Sequence, residues 1–185
     1  YPKVGERNSA CRVGVVSAAG GETRWMNVPG DPRDHYIARM DWARDSDELI
    51  LQHVNRLQNT NTVVLANSRT GDIREILTER DEAWVDVEDD LHWLDEGRRF
   101  AWLSERAGWR QLYVASRSGA DPRLITPGDY DVLSVEHVDV RSGWVYFLAS
   151  PDNPTQRYLF RAPINGSHAA ERLTPRDQPG THAYQ

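Results

Sequence analysis

A short closing motif recurs along this chain at a constant interval. An apolar residue followed by threonine stands at positions 77–78, 125–126 and 173–174, so Thr78, Thr126 and Thr174 are 48 residues apart. Each interval holds short segments rich in Val, Ile, Trp and Tyr, with turn-forming residues between them. A repeat of roughly 40–50 residues with about four strands in each unit is typical of β-propeller blades.

The segments predict one half blade and three full blades. Strands are expected at 12–17 and 22–28, then at 36–42, 48–54, 62–67 and 73–77. The second full blade follows a lead-in at 82–87, and the third has strands at 132–138, 144–148, 158–162 and 170–174. Helix is favoured most at 78–82, and only over a short stretch. We therefore expect an all-β fold, a partial β-propeller of about three full four-stranded blades plus a half blade.

Because a propeller is a closed ring, a chain with so few blades is expected to act as part of a larger protein. We expect residues 1–185 to belong to one propeller domain. Its core should include Trp42, Trp93, Phe100, Trp102, Tyr113, Val135, Tyr146 and Phe147. The open ends should expose Val13, Val15, Trp25, Leu159 and Phe160. Unpaired strands there offer free backbone groups, so we expect self-association through the open blade faces.

Composition and charge exclude several functional classes. The net charge is −6, the pI is near 5.5, and acids are interleaved with the arginines, which argues against a nucleic-acid partner. No apolar run approaches the ~18 residues of a membrane span. The single cysteine, Cys11, excludes an internal disulfide framework, and six scattered histidines give little support to a metal site. No glycine-rich phosphate loop is present, so no cofactor is expected.

The chain also lacks a recognisable catalytic nucleophile. No Gly-x-Ser-x-Gly sequence occurs, and the serines at 104, 116, 118, 134 and 150 have no obvious base beside them. We therefore expect no catalytic residue here. Acidic residues cluster between 79 and 90, where they form either a cation or amine site or a solvated loop between blades; we favour the loop.

Several motifs occur in order along the chain. The first contains Tyr1, Pro2, Lys3, Gly5 and Asn8. The second contains Gln52, Asn55, Arg56, Gln58 and Asn59. Further motifs lie at 104–113, 153–161 and 172–182. Together they resemble the N-terminal propeller of dipeptidyl peptidase IV, within the prolyl oligopeptidase family of serine peptidases. The scarcity of cysteine and the compact loops are more similar to bacterial members of the family.

The resemblance implies a specific activity for a larger protein. Such enzymes remove dipeptides from peptide N-termini, with proline or alanine as the second residue. A following α/β-hydrolase domain carries their Ser-Asp-His triad, and a pair of glutamates upstream of the Tyr-Pro-Lys segment binds the substrate amine. Neither region matches this chain, so no catalytic or amine-binding residue is carried over. The implied partners are the rest of the propeller, the hydrolase domain and the peptide substrate.

One segment is implied to line the substrate path. In the family, residues just after a tryptophan at the start of a blade reach toward the extended substrate pockets. The matching residues here are Trp84, Val85, Asp86, Val87, Glu88 and Asp89. The repeat alone also allows a non-enzymatic β-propeller that binds proteins, because a fold does not determine a function.

Overall fold

The computed structural model of the chain describes residues 3–45, 47–89 and 91–184. Within these ranges it has fourteen β-strands and one short 3-10 turn at Asp95–Gly97. The strands are β1 (Gly14–Val15), β2 (Arg24–Trp25), β3 (His35–Trp42), β4 (Glu48–Asn55), β5 (Thr60–Asn67), β6 (Ile73–Arg80), β7 (His92–Leu94), β8 (Arg99–Ser104), β9 (Gln111–Ser116), β10 (Arg123–Leu124), β11 (Val132–Asp139), β12 (Trp144–Ala149), β13 (Tyr158–Pro163) and β14 (Glu171–Arg172). Among these residues no helix is long and apolar enough to cross a membrane.

The strands form three four-stranded antiparallel sheets and one two-stranded sheet. Sheet order follows chain order: β1-β2, β3-β4-β5-β6, β7-β8-β9-β10 and β11-β12-β13-β14. The predicted fold class, three four-stranded blades and a half blade, is thereby confirmed. Consecutive antiparallel strands joined by short turns are the meander expected of propeller blades.

One local prediction was wrong in detail: the half-blade strands are only two residues long, although the sequence patterns extend over 12–17 and 22–28. The weak helical tendency at 78–82 is overridden because β6 continues through Arg80 and pairs with β5 as far as Thr60. Residues 82–87 lie outside the sheets, as expected of a lead-in to the second blade, whose first strand begins at His92.

The repeated threonine has the same structural role in two blades. The Thr126 hydroxyl accepts the Leu112 backbone N–H at 2.9 Å, and the Thr174 hydroxyl accepts the Leu159 N–H at 2.9 Å. Both threonines are buried. β10 and β14 are only two residues long, so the hydroxyl satisfies a third-strand N–H where the strand pairing has ended. Thr78 differs because it lies within the longer β6, directly opposite Thr62.

The chain divides into two compact units, residues up to 89 and the residues that follow. In the first unit, Val13 and Met26 beside the two-stranded sheet pack with residues of β4 and β5 in one apolar cluster. Gly71 makes this approach close: its carbonyl accepts the Asn27 N–H at 2.8 Å. A Cβ on Gly71 would lie 2.5 Å from the Trp25 carbonyl oxygen, and its φ is +83°.

The second unit has its own core, shared by the sheets β7–β10 and β11–β14. Phe147 and Phe160 stack there with ring centroids 5.7 Å apart. Across the chain, five of the eight predicted core residues are buried: Phe100, Trp102, Tyr113, Val135 and Phe147. Trp93 and Tyr146 are half-buried.

Trp42 was predicted to be buried, and this prediction was wrong: its exposed fraction is 42%. Trp42 and Met40 lie directly across from Leu49 and Leu51, so they share the sheet face that packs on Val13 and Met26. That packing buries residues of β4 and β5 and reaches Ile37 at the start of β3, but it leaves the end of β3, residues 39–42, uncovered at the sheet edge.

The predictions for the end faces were partly wrong. Val13 and Phe160 are buried because they belong to the two apolar cores, while Val15 and Leu159 are half-buried. Trp25 is exposed as predicted, with the Arg12 guanidinium 4.1 Å from its ring centroid.

Candidate functional site

The predicted substrate-lining residues, Trp84 to Asp89, form a segment that leaves β6 through a tight turn; we call it the 84–89 segment. Asp81 forms this turn, because its carboxylate accepts the backbone N–H groups of Ala83 at 2.7 Å and Trp84 at 3.2 Å. These hydrogen bonds lower the pKa of Asp81. The turn therefore sets where the segment begins.

The β4–β5 turn holds the first half of the segment. The Val85 N–H donates to the Gln58 carbonyl at 2.9 Å, and the Asp81 N–H donates to the Asn59 carbonyl at 3.2 Å. Gln58 has a left-handed φ of 58°. The Asn55 carboxamide oxygen stabilises this turn by accepting the N–H groups of Asn59 and Thr60.

A buried side-chain amide holds the second half. The Gln52 carboxamide, in the middle of β4, donates through Nε2 to the Glu88 carbonyl, and its Oε1 accepts the Glu88 N–H at 3.1 Å. Asn61 on β5 donates to the same Oε1 at 3.0 Å. All three residues are buried. The backbone at Glu88 is thus attached directly to the sheet.

The end of the segment is paired with β3. Arg39 donates through Nε to the Asp89 carboxylate in an exposed ion pair, which lowers the pKa of Asp89 and raises that of Arg39. An exposed pair of this kind contributes little stability by itself. Together with the contacts above, it shows that the segment runs from the β4–β5 turn, past β4, to β3.

The segment presents some of its side chains to solvent and buries one. Trp84 is 54% exposed, and its indole N–H donates to the Asp86 carboxylate at 2.8 Å. Asp86 and Asp89 are exposed, Val85 and Val87 are half-buried, and Glu88 is only 6% exposed. The segment therefore offers an aromatic ring and carboxylates to a ligand, but the Glu88 side chain faces inward.

The described residues contain no group of three or more His, Cys, Asp or Glu side chains that could hold a metal ion. Four of the serines considered above form local hydroxyl hydrogen bonds: Ser116 with Ser118, Ser134 with the Glu136 carboxylate, and Ser150 with the Gln156 backbone carbonyl. These are structural hydroxyl contacts of the kind common at strand ends.

The sequence pointed to this region through the acidic cluster between 79 and 90 and to its substrate-lining role only through the family resemblance, and it missed the residues that hold the segment. Gln52 and Gln58 belong to the 52–59 motif, but nothing in their spacing indicates that they bind residues 36 and 27 positions away. Arg39 carries no motif at all.

The four-stranded antiparallel meanders identify the chain as a set of β-propeller blades. The family model of the dipeptidyl peptidase IV (DPP IV) N-terminal region matches residues 1–185. The chain therefore belongs to this family.

Individual relatives agree with this assignment. A probable dipeptidyl peptidase 4 of Emericella nidulans is 26% identical over 197 residues, covering 100% of this chain and 25% of that protein. A probable dipeptidyl-aminopeptidase B of the same organism is also 26% identical, covering 99% of this chain and 22% of that protein. The chain thus spans about a quarter of the length of these relatives, which fits the expectation that it is part of a larger protein.

Solved structures of bacterial proteins share the fold. The crystal structure of Porphyromonas gingivalis dipeptidyl peptidase 4 matches with a TM-score of 0.84 and 28% identity, over 98% of this chain and 25% of that one. A putative dipeptidyl aminopeptidase IV from Bacteroides ovatus matches with a TM-score of 0.79 and 23% identity, over 97% of this chain and 27% of that one. The second likeness supports the fold alone.

Proposed function

We propose that this chain is the non-catalytic propeller portion of a serine-type dipeptidyl peptidase that removes Xaa-Pro or Xaa-Ala dipeptides from peptide N-termini. Membership of the DPP IV N-terminal region family and the dipeptidyl peptidase names of the relatives support this proposal. The chemistry belongs to an α/β-hydrolase domain with its own Ser-Asp-His triad, outside these residues. The propeller contributes the walls of the path that leads to that triad.

The observation that carries the proposed role is the attachment of the 84–89 segment at three places along one sheet. The Gln58 carbonyl, the Gln52 carboxamide and the Arg39 guanidinium each hold a different part of it. A loop held this way presents Trp84 and Asp86 in one orientation, and such preorganisation lowers the entropy that binding costs. A solvated loop would need none of these contacts.

The propeller acts by exclusion and positioning. A ring over the hydrolase domain admits short or unfolded peptides and blocks folded proteins. Contacts along the propeller then hold the peptide so that its second peptide bond lies at the nucleophile. Holding reactants in the correct geometry converts a bimolecular encounter into an effectively unimolecular step, which accelerates cleavage.

An activity assay on the whole protein that contains this chain tests the proposal against the non-enzymatic alternative. We expect the purified whole protein to release dipeptides from Gly-Pro and Ala-Pro chromogenic substrates, and the isolated chain to release none. A serine-directed inhibitor should abolish the release. A whole protein that binds peptides but never cleaves them would overturn the proposal in favour of a binding module.

A further inference from the structure

The contact between Gln52 and Glu88 has an unusual form. One side-chain amide binds both backbone groups of a single residue: Nε2 donates to the Glu88 carbonyl, and Oε1 accepts the Glu88 N–H at 3.1 Å. In an antiparallel sheet, two opposite residues exchange this same pair of hydrogen bonds. Gln52 therefore replaces a neighbouring strand for a segment that pairs with no strand.

Only a side chain with a donor and an acceptor side by side can make this contact. A primary carboxamide has both, whereas an ionised carboxylate only accepts and an apolar chain does neither. Asn61 donates to Oε1 at 3.0 Å, which orients the amide so that Nε2 faces the Glu88 carbonyl. The whole arrangement is buried, so water does not compete for these groups.

We infer that Gln52 is a positioning residue for peptide binding: it fixes the Glu88 end of the 84–89 segment and so, together with the Gln58 carbonyl near the other end, the orientation of Trp84 and Asp86. The inference rests on the proposed function. Gln52 itself is buried and touches no substrate, so it acts through the segment. Its loss should weaken substrate binding and leave the chemical step almost unchanged.

Gln52→Glu tests the inference, because the introduced carboxyl has two states. Protonated, it keeps a donor for the Glu88 carbonyl; ionised, it loses that donor and sets a negative charge against the carbonyl oxygen. Burial raises the pKa of a carboxyl, so both states are accessible near neutral pH. In the whole protein, we expect the KM of Gln52→Glu for an Ala-Pro substrate to be near the wild-type KM at low pH and about tenfold above it at high pH. Its kcat should stay within about twofold of the wild-type kcat.

Gln111→Glu is the matched control. Gln111 is also buried on a strand, and its Nε2 donates to the backbone carbonyl of Gly128, but it lies in the other compact unit. We expect this variant to lose stability in the same way and to show no pH-dependent step in KM. Gln52→Met, which keeps the length and removes both hydrogen-bonding groups, should raise KM equally at every pH. If Gln52→Glu does not fold, Gln52→Met tests the inference in its place.

The outcomes separate the two proposals. A wild-type whole protein without dipeptide release overturns the proposed function and the inference with it. A wild-type protein that is active, with a Gln52→Glu or Gln52→Met KM equal to wild type at every pH, overturns the inference alone. A KM step that Gln111→Glu shares would also overturn it, because the effect would then come from general destabilisation.

Discussion

The imidazole rings of His35 and His53 meet edge to face, with centroids 4.6 Å apart and an interplanar angle of 84°. His35 Nε2 lies 3.4 Å from the Cys11 carbonyl oxygen, which can only accept, so this nitrogen carries the proton. Nδ1 of His35 and Nε2 of His53 are buried without a hydrogen-bond partner in the structure. Burial first, and the neighbouring His35 second, lower the pKa of His53.

This pair predicts that mild acid destabilises the first compact unit. With its pKa lowered, His53 binds fewer protons in the folded state than in the unfolded state, where its ordinary value is 6.5. Its contribution to stability is therefore fully present above pH 6.5 and declines as pH falls below it. Urea unfolding of the chain between pH 5 and pH 8 measures the effect.

His53→Gln should flatten this dependence, and His137→Gln, at an exposed histidine of the other unit, should leave it unchanged. The carboxylates whose pKa is lowered lose their contributions only as pH falls below their ordinary value of 3.8. They are Asp81, Asp89, Asp95 and Asp139. Equal slopes for the two histidine variants would contradict the assignment.

The repeated threonine predicts a stability difference between copies of the same motif. Thr126→Val and Thr174→Val keep the side-chain shape but leave a backbone N–H without its acceptor, that of buried Leu112 or of half-buried Leu159. Thr174→Val also removes a hydroxyl contact with Tyr184. Each variant should lower the free energy of unfolding by about 1–3 kcal/mol. Thr78→Val, where the hydroxyl instead contacts the Glu75 carboxylate, should cost less than about 1 kcal/mol. Equal losses at all three positions would show that the hydroxyl–N–H bond is not the cause.

Two glycines with nearly the same backbone conformation separate steric contact from backbone strain. Gly71 and Gly20 have φ of +83° and +84°, but only at Gly71 would a Cβ meet the Trp25 carbonyl oxygen, at 2.5 Å. Gly20→Ala should cost about 1–2 kcal/mol from the left-handed conformation alone. Gly71→Ala should cost at least about 1 kcal/mol more. If the two variants lost similar free energies of unfolding, the steric contact would be contradicted, because the two-stranded sheet could then move away from the new Cβ at position 71 without an energetic cost.

The exposed edge at β3 predicts association of the isolated chain with a second copy. Met40 is 65% exposed and lies beside Trp42 on β3, the edge strand of its sheet. Sedimentation over a wide concentration range should reveal dimers or larger species. Met40→Lys combined with Trp42→Lys should restore the monomer, while Leu57→Lys, at an exposed turn residue, should not. A monomer at millimolar concentration would contradict this prediction.

The repeat was sufficient to predict the blades because each blade is a local unit. Its strands pair with their neighbours in the chain, so the period-two pattern and the 48-residue interval both survive in the sequence. Burial at Trp42 was less predictable, since it depends on which elements of another sheet reach β3. The alternating pattern of a strand predicts on which face of the sheet a side chain lies. It does not predict which other elements pack over that face.

The contacts that hold the 84–89 segment were harder to predict from the sequence than the fold, because they join residues that are far apart in the chain. Arg39 and Asp89 are 50 residues apart, and Gln52 and Glu88 are 36 apart. Such contacts follow from the tertiary path of the chain and leave no periodic signal. Only the family resemblance indicated that the segment lines a substrate path, and it did not indicate that Glu88 is buried.

The comparison of two exposed tryptophans tests most directly whether the 84–89 segment lines the substrate path. Trp84 is 54% exposed on the segment, and Trp109 is 41% exposed on a turn of the other unit. In the whole protein, Trp84→Ala should raise KM for an Ala-Pro peptide about tenfold with little change in kcat, as removal of an aromatic contact does. Trp109→Ala should leave KM within about twofold of wild type. Equal KM values for the two variants and wild type would contradict the role of the segment.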